Sequence, residues 1–244
     1  MTSPMTRGIA AALVASAVLA SCGGSDKTAA PVIDPGPAAS YHPNVAPARF
    51  VAAITNPYLP LRPGAKWVYD GTEHVEVLVT GAHKVIAGVN VVAVRDTVSE
   101  DGEVIEDTQD WYAQDVDGSV WYMGEATQEL SHGRVTSTEG SWETGVDGAL
   151  PGLAMPAHPQ VGAAYRQEYL KGEAEDMADV LAVNGSATVL GTSYSGVVTI
   201  REWTPLEPKV VEEKTYAAGV GNIAQRSVKG ESGKLTLTSF TPGR

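Results

Sequence analysis

Residues 89–138 read VNVVAVRDTVSEDGEVIEDTQDWYAQDVDGSVWYMGEATQELSHGRVTST. Val89 to Val98, Val104-Ile105, Trp111 to Gln114, Val120 to Met123 and Val135 to Thr138 are rich in β-branched and aromatic residues. Such side chains fit a pleated, half-buried surface. Between the runs stand Asp101-Gly102, Asp117-Gly118 and His132-Gly133. Asp-Gly between two strand-like runs signals a hairpin, because the turn that matches strand twist needs positive φ at both central residues. The even recurrence of these glycines predicts an antiparallel meander rather than a βαβ fold.

The same texture extends both ways. Upstream, Ala65 to Tyr69 is a short aromatic strand, and Val75, Val77 and Val79 alternate with His74, Glu76 and Leu78. Downstream, strands are predicted at Ala164 to Leu170, Asp179 to Val183, Ala187 to Leu190, Val197 to Trp203, Val210 to Ala217, Asn222 to Val228 and Leu235 to Phe240. Asn184-Gly185 and Gly230 to Gly233 supply turns. Glu173 to Asp179 reads as strand or as short helix, and Arg49 to Thr55 as one or two helical turns stopped by Asn56-Pro57. Gly140 to Gly162 breaks the rhythm with several Gly and Pro and reads as a long loop, packed down by Trp142, Leu150, Leu153 and Met155. The expected fold is one all-β domain over residues 49–244. It is an antiparallel meander forming a barrel-like or sandwich domain, its two strand-rich halves separated by that loop.

The amino terminus carries a different signal. Arg7 gives a positive start, Ile9 to Ala20 is an apolar run, and Leu19-Ala20-Ser21-Cys22 matches the lipobox of bacterial lipoproteins. The run is too short to span the roughly 30 Å hydrocarbon core as a permanent helix. Residues 1–21 therefore read as a signal peptide, cut before Cys22. Small residues at 20 and 21 let a peptidase approach the backbone, and the Cys22 thiol receives the diacylglyceryl group. Cys22 is the only cysteine in the sequence, so no intramolecular disulfide can form. Residues 22–48, rich in Gly, Ala and Pro, read as a flexible tether between lipid and domain. The expected location is the cell envelope, and the outer membrane where the host has one, since Gly23 is not the aspartate of inner-membrane retention.

The chain has 17 Lys+Arg against 29 Asp+Glu. Cleavage removes only Arg7 among these, leaving 16 basic and 29 acidic residues, a net of −13. Such a balance argues against a nucleic-acid partner, which requires a basic surface. It also argues against polybasic binding to anionic lipid. Contact with the membrane is expected through the lipid on Cys22 alone.

Enzyme motifs do not stand up. Gly191-Thr192-Ser193-Tyr194-Ser195 lacks the closing glycine of a nucleophile elbow, and Gly233-Lys234 lacks the rest of a P-loop. Asp115 to Gly118 resembles a calcium-loop fragment, but Ala113 stands where a ligand is needed, and a hairpin turn explains it better. His74 and Glu76 share a strand face, a weak metal hint. Two constellations remain. Trp111, Trp121 and Trp142 offer aromatic surface to a small ligand. Glu143, Asp147, Glu168, Glu173 and Asp176 offer oxygen ligands to a divalent cation, if the 140–162 loop meets the acidic segment after it. No cofactor is expected.

Five segments resemble a family of uncharacterised bacterial secreted proteins and lipoproteins: NPYLPLRPGAKWVY from Asn56, DWYAQDVDGSVWYMGE from Asp110, GSWETGVDGALPGLAMP from Gly140, GAAYRQEYLKGEAEDMADVL from Gly162 and YAAGVGNI from Tyr216. The resemblance covers most of the mature domain. It implies export and a β-rich fold, and transfers no catalytic residue. The first functional expectation is a non-catalytic, lipid-anchored protein that binds a ligand or partner. Two alternatives stay open: a carboxylate-dependent enzyme acting on a glycan through acids such as Asp110, Glu125 or Glu168, and a cation-binding protein.

Overall fold

The computed structural model describes residues 41–230 and 232–244; the expected signal peptide, Cys22 and the expected tether up to residue 40 lie outside the described residues. After a 3-10 turn at Pro47–Arg49 come β1 (Phe50–Val51), β2 (Lys66–Gly71), β3 (His74–Ile86), β4 (Val89–Glu100), β5 (Glu103–Asp115), β6 (Val120–Ser131), β7 (Arg134–Ser137) and β8 (Trp142–Glu143). They are followed by β9 (Leu150–Met155), β10 (Ala164–Arg166), β11 (Glu168–Tyr169), β12 (Met177–Val189), β13 (Thr192–Trp203), β14 (Val211–Ala217), β15 (Gly221–Lys229) and β16 (Lys234–Thr241). Among the described residues there is no α-helix.

The strands form one antiparallel sheet in the order β10-β12-β13-β14-β15-β16-β2-β3-β4-β5-β6-β9-β11, curled into a nearly closed barrel. The last strand, β16, pairs with β2 and so joins the two halves of the meander. The two ends of the path, β10 and β11, are consecutive in sequence with only Gln167 between them. One segment thus pairs with β12 on one side and with β9 on the other, and bridges the barrel's seam. That crossing requires Gly152. A Cβ there would stand 2.1 Å from the Gln167 carbonyl carbon and 2.5 Å from the Glu168 nitrogen. Arg166 stacks on Tyr169 at the seam, and Tyr41 lies edge-on to Tyr169 and donates its hydroxyl to the Pro151 carbonyl at 2.8 Å. The chain therefore lies on the domain from Tyr41, ahead of the boundary expected at residue 49.

The hairpins follow from local backbone chemistry. Asp101-Gly102 has φ of 50° and 81°, the double positive pair of a two-residue turn. The Asp117-Gly118 hairpin is looser: Val116 to Ser119 separate β5 from β6, and only Gly118 has positive φ. Asp115 holds that turn, its Oδ1 accepting from the amides of Asp117 and Ser119 and its Oδ2 from the Trp121 indole.

Three expectations are corrected and one open alternative is resolved. Asn184-Gly185 is not a turn; β12 runs straight through it, with Asn184 at φ 61° in a bulge, and the chain reverses at Leu190-Gly191 instead. The Gly140 to Gly162 stretch packs down as expected but is not loop throughout, because β8 and β9 inside it pair with β6. Glu173 to Asp179 forms no helix; a turn there leads into β12 at Met177. The helical turn near Arg49 is limited to Pro47–Arg49, after which the chain pairs with β5 as β1.

Candidate functional site in the barrel interior

Strand alternation sends every second side chain inward. On β4 that face carries Val94, Asp96 and Val98; on β5 Glu106, Thr108, Asp110 and Tyr112. The register sets Asp96 opposite Thr108, Thr108 opposite Thr127, and Asp110 opposite Glu125. A shift between Trp111 and Tyr112 absorbs one residue of β6, so Tyr122 returns to the face of Glu125 and lies opposite Tyr112. These groups connect. Thr108 donates to Glu106 at 3.1 Å, Thr127 donates to Glu125 at 3.0 Å, and the Tyr122 hydroxyl donates to Asp110 at 2.5 Å. The Tyr112 and Tyr122 rings stack 4.8 Å apart, and Trp142 meets Tyr122 edge-on at 5.4 Å.

The seam adds Glu168, whose Oε2 accepts the Trp142 indole N–H at 2.6 Å. Burial, with the charges of Asp176 and Glu125, lifts Glu168 well above the usual carboxylate range. Glu125 is itself raised to about 7, mainly by burial, and Asp176 to about 6 for the same reason. Burial and then Glu125 raise Asp110 strongly.

On the opposite wall, β14 points Glu212, Lys214 and Tyr216 inward. The Lys214 ammonium sits 2.6 Å from Glu202 of β13. Burial works against its charge, but Glu202, Tyr216 and Glu212 outweigh that and raise its pKa. Burial first, then Glu106, raises Asp96 to about 7. Two buried polar atoms in this interior have no hydrogen-bond partner: Asp96 Oδ1 and the Tyr165 hydroxyl.

Beside Asp96 and Lys214 lies a cavity of about 160 Å³, also lined by Trp67, Tyr69, Tyr216, Asn222 and Gln225 and covered by Leu59 and Leu61. The covering segment is tied down on its N-terminal side. The Asn56 amide donates to Gln114, Tyr58 donates its hydroxyl to the Gly196 carbonyl, and the Gly219 amide donates to the Pro57 carbonyl. A second cavity of about 350 Å³, between residues 52–63 and β3 and β4, has no acid in its lining.

The residues expected from sequence are distributed as follows. Trp111, Trp121 and Trp142 are all buried rather than presented as one platform. Lys84 lies over the Trp111 ring at 3.3 Å, Trp121 serves the Asp115 turn, and Trp142 alone reaches the acidic interior. Of the five proposed metal ligands, Glu168 and Asp176 are near enough for the charge of one to act on the other. Glu143 points the other way from Trp142 and pairs with Lys84 at 2.6 Å, while Asp147 and Glu173 are exposed to solvent. The five do not make one site, because neighbouring strand residues leave on opposite faces. Among the described residues no group of three or more His, Cys, Asp or Glu side chains is arranged to hold a metal ion. His74 pairs with Asp70 and Glu76 with Lys66, so they do not act together. Sequence reading passed over Asp96, Glu202, Glu212, Lys214 and Tyr216. Their signal was available as alternation: an acid between Val94 and Val98, and Glu212, Lys214 and Tyr216 at every second position.

No protein-family model matches the chain, and comparison with curated proteins finds no match. Among solved structures, it is similar to a protein from Bacteroides fragilis described as exported, with a YmcC-like fold. That chain is 12% identical with a TM-score of 0.46, over 77% of this chain and 100% of the other. A second, described as a lipoprotein of Parabacteroides distasonis, is 9% identical with a TM-score of 0.40, over 79% and 99%. At these values the likeness is one of chain path alone.

Proposed function

We propose that this chain is an exported lipoprotein, anchored to the cell envelope by acyl chains on Cys22, whose barrel interior binds a small ligand without transforming it. The anchor rests on the lipobox and the single cysteine. The binding function rests on one observation: the inward face carries acids, tyrosines and a lysine where a structural barrel needs only apolar side chains. Buried ionisable groups are weak contributors to stability, and well-packed apolar replacements are often neutral or better. Their concentration beside a cavity is the composition of a ligand site.

The scattered positions of Glu143, Asp147 and Glu173 give no support to the five-acid cation site. A thermal-shift screen of the mature chain against amines, sugars, carboxylates and divalent metals tests the binding reading. At least one class should raise the melting temperature by linkage. No response to any class, in a protein shown to be folded, would overturn it.

A further inference from the structure

Asp96 sits on β4 opposite Val77 of β3, with Val94 and Val98 on its own face. Its side chain lines the cavity of about 160 Å³, and its Oδ1 is shut off from solvent without a hydrogen bond. The charges bearing on it are mostly of its own sign: Glu106 and Asp107 on β5 and Glu125 on β6, against Lys214 on β14. Lys214 is already engaged, 2.6 Å from Glu202. An unpaired carboxylate in such surroundings is unfavourable and is relieved by a cation. The rest of the wall is largely carbon, with Leu59, Leu61, Trp67, Val75 and Leu235.

We propose that this cavity binds a small organic cation, an amine with an aliphatic or aromatic body, with Asp96 as its anionic partner and Leu59, Leu61 and Trp67 around its apolar part. The inference rests on the reading of the barrel interior as a ligand site and names the ligand class. A hard divalent cation does not fit, because it needs six or more oxygens. The cavity offers one carboxylate, and the Gln225 amide there donates to Glu212 at 2.6 Å. An organic anion is repelled by the surrounding acids. An ammonium can donate to Asp96 Oδ1 while its carbon body displaces water from the apolar wall.

The test uses the mature chain from Cys22 onward, produced without acylation, titrated calorimetrically with butylamine, butanol and butyrate. Butylamine should bind, and more tightly as the pH rises from about 6 to about 8, because Asp96 ionises in that window while the amine stays protonated. Asp96→Asn should weaken it by about tenfold or more, the effect of removing a charged hydrogen-bond acceptor. Val77→Lys, which sets an ammonium opposite Asp96, should abolish butylamine binding while the protein stays folded by circular dichroism. Equal binding of butanol and butylamine, unchanged by Asp96→Asn, would overturn the amine assignment while leaving an interior ligand site. Binding of none of the three, with a response to another class in the thermal screen, would also overturn it. Silence in both experiments would overturn the ligand-site reading as well.

Discussion

Replacing Asp96 by Asn should stabilise the protein at neutral pH and flatten its dependence on pH. In the folded chain the Asp96 carboxyl is raised from its ordinary 3.8 to about 7, chiefly by burial and then by Glu106. A raised carboxyl pKa means that the folded state holds the proton more tightly than the unfolded state. Its contribution is complete below about pH 4 and is lost as the pH climbs to about 7. A rise of about 3 units at 1.36 kcal/mol each sets an upper limit of about 4 kcal/mol. Because the carboxylate borders a cavity that water can enter, about 1–3 kcal/mol is the realistic range. Glu125 and Asp176, raised to about 7 and about 6, act in the same direction. Urea unfolding of the wild type should therefore give lower stability at about pH 8 than at about pH 5, and the Asn variant should lose part of that difference. Wild-type stability that rises over the same interval, or an Asn variant less stable at about pH 8, would refute the burial of this carboxyl.

Gly152→Ala should destabilise the domain by about 2–4 kcal/mol, since its Cβ meets seam backbone that cannot swing away; a loss below about 1 kcal/mol in urea would show that the seam relaxes freely. Trp142→Phe removes the indole donor to Glu168 and should cost about 1–3 kcal/mol, whereas an unchanged unfolding midpoint would mean that the bond contributes nothing. Cys22→Ala should abolish incorporation of a fatty-acid probe and release the protein from the membrane fraction; equal labelling of variant and wild type would remove the anchor from the account.

The all-β meander was legible because its signals are local. Asp101-Gly102 sits where two positive φ values are needed, and Val75, Val77 and Val79 of β3 recur at the strand period. Asn184-Gly185 misled for the opposite reason. The pair satisfies a turn locally, but pairing along the whole of β13 keeps the strand going and turns the positive φ into a bulge. β8 and β9 were hidden because β8 is only two residues long and the Gly and Pro around it and within β9 read as loop. The interior site was only partly visible. Glu168, Asp176 and Trp142 were singled out, but Glu143, Asp147 and Glu173 were grouped with them by sequence proximity. Which acids meet is decided by strand parity and by barrel closure. Closure sets β14 across the interior from β5 and β6, and no short window of sequence carries that.

The most direct measurement of the central claim is a side-chain carboxyl titration by NMR on the mature chain, with Asp96 and Glu125 assigned by substitution. Both should titrate with midpoints near 7, well apart from surface acids near 4. All carboxyl midpoints falling between about 3 and 5 would contradict a barrel whose interior buries its acids around a ligand site.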